Sequence, residues 1–189
     1  MKKIQIKKLS EISEIYIGVR LNRLKDHNTS LKKVIKKISH ENILEYEYSI
    51  ESVPNSINEK FISQKNDIII SLLDPGAICK LEEEGLIIPM QFAIIRLHEE
   101  YDADFIINLL KSNLFEKELN KLTEGTGIRF IKSSYLKEIR LPIPDFEKQQ
   151  KTGELLNLIE KKIILNLKIA ELEKQAKQAI LNETLGGKL

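Results

Sequence analysis

Seven basic residues crowd the stretch from Arg20 to Lys37, where Asp26 is the single acidic residue. A guanidinium donates paired hydrogen bonds to phosphate oxygens or to a guanine edge, and a lysine ammonium adds a point charge. On a chain of net charge +2, this clustering is the footprint expected for phosphate contact, although lysine runs are more often solvated surface. Gly18 just before the cluster would allow close backbone approach. The predicted DNA contacts are Gly18, Arg20, Arg23, Lys25, Lys32, Lys33, Lys36 and Lys37, followed by Lys111, Arg129 and Lys132.

Residue types that carry catalysis do not form a catalytic pattern in this sequence. No glycine-rich phosphate loop precedes a helix, which disfavours nucleotide hydrolysis. The three histidines lack metal-ligand spacing, and one cysteine, Cys79, is too few for a conventional structural zinc site. Asp74-Pro75-Gly76 is a turn, not the Asp/Asn-Pro-Pro-aromatic motif of amino-methyltransferases. We therefore expect no catalytic site, no metal and no cofactor in this chain.

A long helix near the end of the sequence is the element best suited to present a binding surface to other molecules. Pro142 and Pro144 favour an extended segment, after which Asp145 can cap a helix. From Phe146 to Leu185 there is no proline, and about 40 residues at 1.5 Å each give roughly 60 Å of helix. That length exceeds what a domain of this size can cover, so the helix is predicted to be a spacer or an assembly surface.

Apolar residues recur along this helix in two stripes. The first has the 3,4 spacing of a coiled-coil seam and is predicted to mediate dimerisation. The second lies beside it and predicts contact with a further protein. A single amphipathic helix packed on its own domain is the alternative, and the length of the helix argues against it. The seam comprises Leu155, Leu158, Leu165, Ile169, Leu172, Ala176 and Ala179, and the second stripe Leu156, Ile159, Ile163, Leu167 and Ala170.

The residues before the helix predict an α+β domain with a curved, partly antiparallel sheet. Apolar runs and alternations indicate strands at 4–7, 34–38, 68–73, 77–81 and 86–97, and a short helical turn at 9–14. Turns are expected at 74–76 and 84–85. A helix capped by Asp102 or Asp104 should continue to Leu122. Its predicted buried face consists of Phe105, Leu109, Leu110, Leu114 and Leu119.

The order of several segments resembles a known family. Leu141-Pro142-Ile143-Pro144 is followed by Glu147, Gln149 and a heptad helix that ends in Leu185-Gly-Gly-Lys-Leu189. Together they are similar to the conserved region of type I restriction–modification specificity subunits. Three upstream segments resemble the family's target-recognition domain in the same order: 9–23, 65–71 and 125–131.

The resemblance implies a domain organisation and a set of partners. Residues 1–140 would form a target-recognition domain, 141–145 a proline strap and 146–189 the conserved helix. It implies a non-catalytic subunit that binds double-stranded DNA and a methyltransferase subunit. The methyltransferase would bring S-adenosylmethionine for adenine methylation, and some assemblies would add a translocating nuclease (restriction) subunit. The sequence has no internal repeat or second strap, so we expect a half-length form of the family's subunit. Two copies would pair as a homodimer and so restore the family's two-fold arrangement of recognition domains.

Two other classes of function are compatible with the sequence. A coiled-coil adaptor that does not bind DNA would explain the helix equally well and would make the basic cluster solvated surface. An enzyme is a distant third. A hydrophobic content of 42% fits a soluble globular protein, and the apolar run at 86–97 is too short and too polar to span a membrane. The charged N-terminus and the lone Cys79 favour a cytoplasmic protein without a secretory leader.

Overall fold

The computed structural model describes residues 4–24, 28–38, 46–123 and 131–186, and it has the predicted α+β architecture. The strands are β1 (Gln5–Lys8), β2 (Ser13–Ile17), β3 (Thr29–Ile38), β4 (Tyr46–Pro54), β5 (Ile68–Ser71), β6 (Ile78–Lys80), β7 (Phe92–Leu97) and β8 (Arg140–Ile143). The helices are α1 (Leu9–Ile12), α2 (Ala103–Leu110), α3 (Asn113–Thr123), α4 (Ser133–Glu138) and α5 (Phe146–Thr184). Short 3-10 turns lie at Leu21–Arg23 and Glu59–Phe61. Over these described ranges, no helix combines the length and apolarity needed to cross a bilayer.

A four-stranded sheet in the order β2-β7-β5-β6 forms the centre of the domain, with antiparallel pairing between its neighbours. Side chains of a strand alternate between the two faces of a sheet, and β5 is apolar on both. Ile68 and Ile70 face a core built with α1 to α4, whereas Ile69 faces a second core that includes Ile35 of β3. The uninterrupted apolar run in β5 is therefore explained by cover on both faces.

Strands β3 and β4 form a long two-stranded ribbon beside this sheet. The ribbon is joined to the body through Ile87, which accepts a hydrogen bond from Ile35 N and donates one to Lys33 O. Its outer face leaves Leu31 and Ile50 largely exposed. The sequence predicted only the 34–38 part of β3 and did not predict β4.

The proline strap is a strand, because Arg140–Ile143 pairs antiparallel with β1 in a second two-stranded sheet. Its partner lies at the start of the described chain, so β1 and β8 bring distant segments together. The helix expected after the strap is confirmed over Phe146–Thr184. Asp145 caps it, since its carboxylate accepts a hydrogen bond from Lys148 N at 3.2 Å.

The predicted single helix from Asp102 to Leu122 is wrong in one respect, because two helices, α2 and α3, occupy that stretch. Asp102 does cap the first of them, accepting from Phe105 N at 2.7 Å. Lys111 ends α2, and Glu116 N donates to the carbonyl of Ser112 at the start of α3. The break rotates α3, so Leu114 is 40% exposed and Phe115 is buried in its place.

Two other boundaries differ from expectation. The helical turn predicted at 9–14 ends at Ile12, because Ser13 is extended and begins β2. The predicted strand at 86–97 is regular only from Phe92 onward. Residues 86–90 are instead an irregular crossing segment that bonds to several neighbours, among them Val19 and β3.

Candidate nucleic-acid interface and the helix behind it

One end of the central sheet gathers segments that are far apart in sequence. Strands β2 and β5 both run antiparallel to β7, so their last residues lie beside the first residue of β7. Gly18 N donates to Phe92 O, Leu72 N donates to Gln91 O, and Ile131 N donates to Leu72 O, each at 2.9 Å. Arg20 and Lys132 directly follow bonded residues, so both lie at this end of the sheet.

The ribbon reaches the same end through the crossing segment. Val19 N donates to Ile88 O at 2.8 Å, while the neighbouring Ile87 bonds to β3. Two strand spacings of about 4.8 Å therefore separate Val19 from the middle of β3, roughly 10 Å in all. We use the name basic end for the set Arg20, Arg23, Lys32, Lys33, Lys36, Lys37 and Lys132. Within this set, Lys37 lies toward α5, because the neighbouring Ile38 pairs with Tyr46, which lines a cavity with Asn157, Glu160, Lys161 and Ile164 of that helix. The predicted contacts Lys25 and Arg129 lie outside the described residues.

Two lysines of the basic end are matched by carboxylates. Lys33 Nζ lies 2.6 Å from Glu83 Oε1 and 4.6 Å from the centre of the Tyr48 ring. Lys36 forms an ion pair with Glu51, which lies on β4. The hydrogen bond to Glu83 raises the pKa of Lys33, and the hydrogen bond from Lys36 lowers the pKa of Glu51. Both lysines therefore share their charge with internal carboxylate partners.

The other cations of the basic end are more available. Arg23, Lys32 and Lys37 are exposed, and within 4–24, 28–38, 46–123 and 131–186 none of them forms an ion pair. Arg20 is exposed, and its Nε atom donates to Met90 Sδ at 3.0 Å. Lys132 is exposed, with its ammonium 5.7 Å from the centre of the Tyr135 ring.

Gly18 is buried, and internal packing explains why this position is a glycine. A Cβ atom there would lie 2.2 Å from Pro89 O and 2.4 Å from Ile88 O, which is far inside van der Waals contact. The glycine thus gives room for the crossing segment to pass. This packing explains the glycine without any contact with DNA. The contact between Gly18 and DNA therefore remains a prediction.

The opposite end of the sheet holds the start of α5. Strand β7 runs from the basic end for six residues, about 20 Å, and is followed by Asp102 at the start of α2. Two residues of α5 are buried, Gln149 and Gly153. They face the N-terminus of α2, where Asp102 N donates to Gln149 Oε1. Neither was among the predicted site residues, although Gly153 is the one glycine between 146 and 185.

Beyond this attachment, the apolar stripes of α5 are uncovered. The five Leu and Ile side chains of the predicted seam are between 53% and 60% exposed, and Ala176 and Ala179 are exposed as well. In the second stripe, Ile159, Ile163 and Leu167 are between 46% and 64% exposed. At 3.6 residues per turn, the two stripes lie about 150° apart around the helix axis. The helix thus offers two separate apolar faces, while Gly153 faces its own domain.

Within the residues that the structure describes, no cluster of three or more His, Cys, Asp or Glu side chains is arranged to hold a metal ion. Asp67 is buried and Arg96 is half-buried, and the two are paired with each other. Two hydrogen bonds of 2.9 and 2.7 Å join the guanidinium to the carboxylate, and Asp67 also caps the turn at Gln64 N. The hydrogen bond with Asp67 raises the pKa of Arg96, so this pair joins β5 to β7 as a fixed structural contact.

Comparison with known proteins gives a consistent result. Residues 1–174 match the family model described as the type I restriction modification DNA specificity domain. Over 138 residues the chain is 30% identical to the type I restriction enzyme MjaVIII specificity subunit of Methanocaldococcus jannaschii. That alignment covers 69% of this chain and 32% of the relative, so the chain spans about a third of the relative's length.

Solved structures show the same fold. The HsdS subunit from Thermoanaerobacter tengcongensis superposes with a TM-score of 0.65 at 15% identity, covering 96% of this chain and 48% of that one. The S subunit of a type I restriction–modification system from M. genitalium gives a TM-score of 0.59 at 17% identity, covering 97% and 44%. In both cases the match spans a little less than half of the solved chain.

Proposed function

The chain belongs to the type I restriction–modification DNA specificity family, and from that membership we propose that it reads one half of a bipartite double-stranded DNA target. Two copies, paired through α5, would direct a methyltransferase subunit to that target. The methyltransferase brings S-adenosylmethionine and methylates adenine. A restriction subunit that translocates DNA joins in assemblies that include one.

The observation that carries this proposal is the separation of the basic end from the uncovered helix. Arg20 and Lys132 of the basic end lie where β2 and β5 finish and β7 begins. The attachment of α5 lies beyond the other end of β7, about 20 Å away. A domain built this way can bind DNA near Arg20 and Lys132 while α5 contacts protein beyond Ile164, because the residues of α5 after Ile164 are exposed.

The β3–β4 ribbon is suited to a DNA groove. The major groove of B-DNA admits a two-stranded ribbon, and cations beside it neutralise phosphates. Lys32 and Lys37 lie on β3, and Arg23 follows β2 by a short connection. The ribbon also exposes Leu31 and Ile50, which are of the apolar type that contacts the thymine methyl group. We assign phosphate contact to the cations and groove contact to the ribbon.

Pairing through α5 follows from its exposed seam. Burying a Leu or Ile side chain is worth roughly 1.5–3 kcal/mol, and the seam carries five such residues in each copy. An antiparallel pair is two-fold symmetric, so each face meets the same face of its partner. The second stripe stays on another side of the helix, where it is available to the methyltransferase.

The proposal is tested by an electrophoretic shift assay on genomic DNA fragments with the chain alone, with a type I methyltransferase subunit from the same genome alone, and with the two together. We expect a subset of fragments to be retained by the two-protein complex in competition with unlabelled nonspecific DNA. Equal retention of all fragments, or none, would contradict a specificity role.

A coiled-coil adaptor that does not bind DNA is the second candidate, and one observation favours it. Lys33 and Lys36 already have carboxylate partners, Glu83 and Glu51, which reduces the charge available for phosphate. Under this alternative the methyltransferase would still bind the chain, but the complex would select no more DNA than the methyltransferase alone. The same assay separates the two candidates.

A further inference from the structure

Gln149 joins three segments where α5 leaves the domain. Its side chain is 2% exposed. The amide nitrogen donates to Pro144 O at 2.9 Å, and the amide oxygen accepts from Asp102 N at 3.1 Å. One side chain therefore ties the end of the strap and the N-terminus of α2 to the first turn of α5.

Gly153, one turn further along α5, is packed directly against the backbone of α2. A Cβ atom at this position would lie 2.5 Å from Asp102 Oδ1, 2.6 Å from Phe105 N and 3.1 Å from the carbonyl carbon of Asp104. The first of these atoms is itself held, since it accepts the capping hydrogen bond from Phe105 N. Only a glycine permits this approach, so the distance between α5 and α2 is set by the absence of a side chain.

The N-terminal part of α2, which contacts α5, is held to the central sheet by an ion pair. Asp104 of α2 forms an ion pair with Lys80 of β6, and Lys80 also pairs with Glu82 at 2.8 Å. Burial lowers the pKa of Lys80, but its hydrogen bonds with Asp104 and Glu82 outweigh burial and leave the pKa above its usual value. The lysine stays charged, so the N-terminus of α2 is fixed to the central sheet and does not yield easily to α5.

We propose that Gln149 and Gly153 form a latch that sets the angle between α5 and the DNA-reading domain, and that this angle determines the distance between the two half-sites. This proposal rests on the proposed function, because it takes the paired α5 helices as the spacer between two reading domains. Both residues are positioning residues, since they act through the direction of the helix and not by touching DNA.

A small change at the latch is amplified along α5. Relieving the contact of a Cβ at position 153 requires the helix to move about 1 Å, at a point about 12 Å from its start. The far end of the helix is about 58 Å from its start, so the same tilt moves that end by about 5 Å. The rise between DNA base pairs is about 3.4 Å. The same tilt moves the basic end, which lies about 20 Å from the start of α5, by about 1.7 Å in each of the two copies. The sum, about 3.3 Å, corresponds to about one base pair of spacer.

The geometric part is tested by measuring a distance within one chain. Spin labels at Lys117→Cys on α3 and Lys177→Cys on α5, in a Cys79→Ser background, are diluted with unlabelled chain so that only intrachain distances are recorded. Lys177 is about 48 Å from the start of α5, so we expect Gly153→Ala to move the distance distribution by up to about 4 Å. The matched control is Glu154→Ala, an exposed neighbour on the same helix that creates the same residue, and it should leave the distribution unchanged.

Gln149→Met is the second variant, because it keeps the size of the side chain and removes both hydrogen bonds. It should broaden the distance distribution without requiring α5 to move away from α2. Circular dichroism confirms that α5 remains helical in each variant, as expected for Gly153→Ala because alanine favours helix over glycine. Unchanged distances in both folded variants would overturn the latch.

The functional part is tested with the methyltransferase complex on DNA that keeps both half-sites and varies only the spacer. Wild-type complex should modify one spacer length best, and the Gly153→Ala complex should prefer a length about one base pair different. A merely structural role would lower modification at every spacer equally and leave the preference unchanged, which would overturn the proposal. Failure of wild-type complex to modify any site would count against the proposed function instead, while the spin-label distances still judge the latch geometry.

Discussion

At the scale of single residues, the basic end divides into cations that form ion pairs and cations that form none with the residues the structure describes. Lys33 and Lys36 are ion-paired, whereas Arg23, Lys32 and Lys37 are exposed and form no such pair within the described part of the chain. An exposed ion pair contributes little to stability, but it reduces the net charge that a phosphate meets. The two groups should therefore contribute differently to DNA binding.

We expect the triple change Arg23→Ala, Lys32→Ala and Lys37→Ala to weaken DNA binding by the methyltransferase complex and to reduce its salt dependence. Each phosphate contact contributes about 0.9 to the slope of log affinity against log salt, so the slope should fall by up to about 2.7. Fluorescence anisotropy at several salt concentrations measures this. The control, Lys65→Ala with Lys117→Ala and Lys137→Ala, changes the net charge equally at exposed positions outside the basic end and α5. Equal losses in both triples would mean that DNA does not contact the basic end selectively.

The sequence located the cations but not their partners. The basic cluster is visible as a local excess of Arg and Lys, and this needs no fold. Glu51 is opposite the cluster only because β4 pairs with β3, and Glu83 only because the crossing segment brings its neighbourhood to Lys33. The sequence likewise suggested that Gly18 contacts DNA. A glycine is needed there because a Cβ atom would clash with the carbonyl oxygens of Ile88 and Pro89. Long-range pairing decided each of these cases.

At the scale of secondary structure, α5 was predictable because its signals are local. A cap at Asp145, the absence of proline and the apolar spacing all lie within the helix itself, and the observed bounds, Phe146–Thr184, differ by one residue from those expected. Strand β4 was missed although Tyr46, Tyr48 and Ile50 alternate with polar residues, which is a strand signal. The division between α2 and α3 was missed because no glycine or proline marks it.

The two stripes of α5 predict two separable losses. Leu165→Asp with Ile169→Asp should give monomers, because a pair would bury four charged side chains in place of apolar ones, each worth roughly 1.5–3 kcal/mol when buried. Ile163→Asp with Leu167→Asp is the matched change on the second stripe. It should leave the dimer intact and weaken methyltransferase binding.

Multi-angle light scattering of the chain alone, followed by pull-down of the methyltransferase, measures both effects. Wild-type chain that is monomeric at tens of micromolar would contradict free pairing. Loss of the dimer in both double variants would contradict the assignment of dimerisation to the seam and of methyltransferase binding to the second stripe.

At the scale of the whole molecule, the proposal places DNA contact at the basic end and protein contact on α5. In an antiparallel pair the two domains would be related by a two-fold axis. A helix of about 60 Å would hold them between one and two turns of DNA apart, at roughly 34–36 Å per turn. We therefore predict an interrupted palindrome, with identical inverted half-sites on either side of a spacer that is not read.

Long-read sequencing that detects modified adenine, in cells that express this chain with its methyltransferase, determines the motif directly. Cells with the Leu165→Asp and Ile169→Asp chain provide the control and should lack the motif. A motif with two different halves would mean that this chain pairs with another specificity half.

The pairing of β1 with β8 bears on how a new DNA specificity can arise. Residues 5–8 and 140–143 are adjacent antiparallel strands, so the polypeptide enters and leaves the domain at the same place, immediately before α5. A folded unit whose two ends are neighbours can be exchanged as a cassette. Replacing residues 9–139 by the corresponding segment of another family member should give a new half-site with the original spacer, as the same sequencing would reveal. Recombination at two short strands would then suffice to create a new specificity.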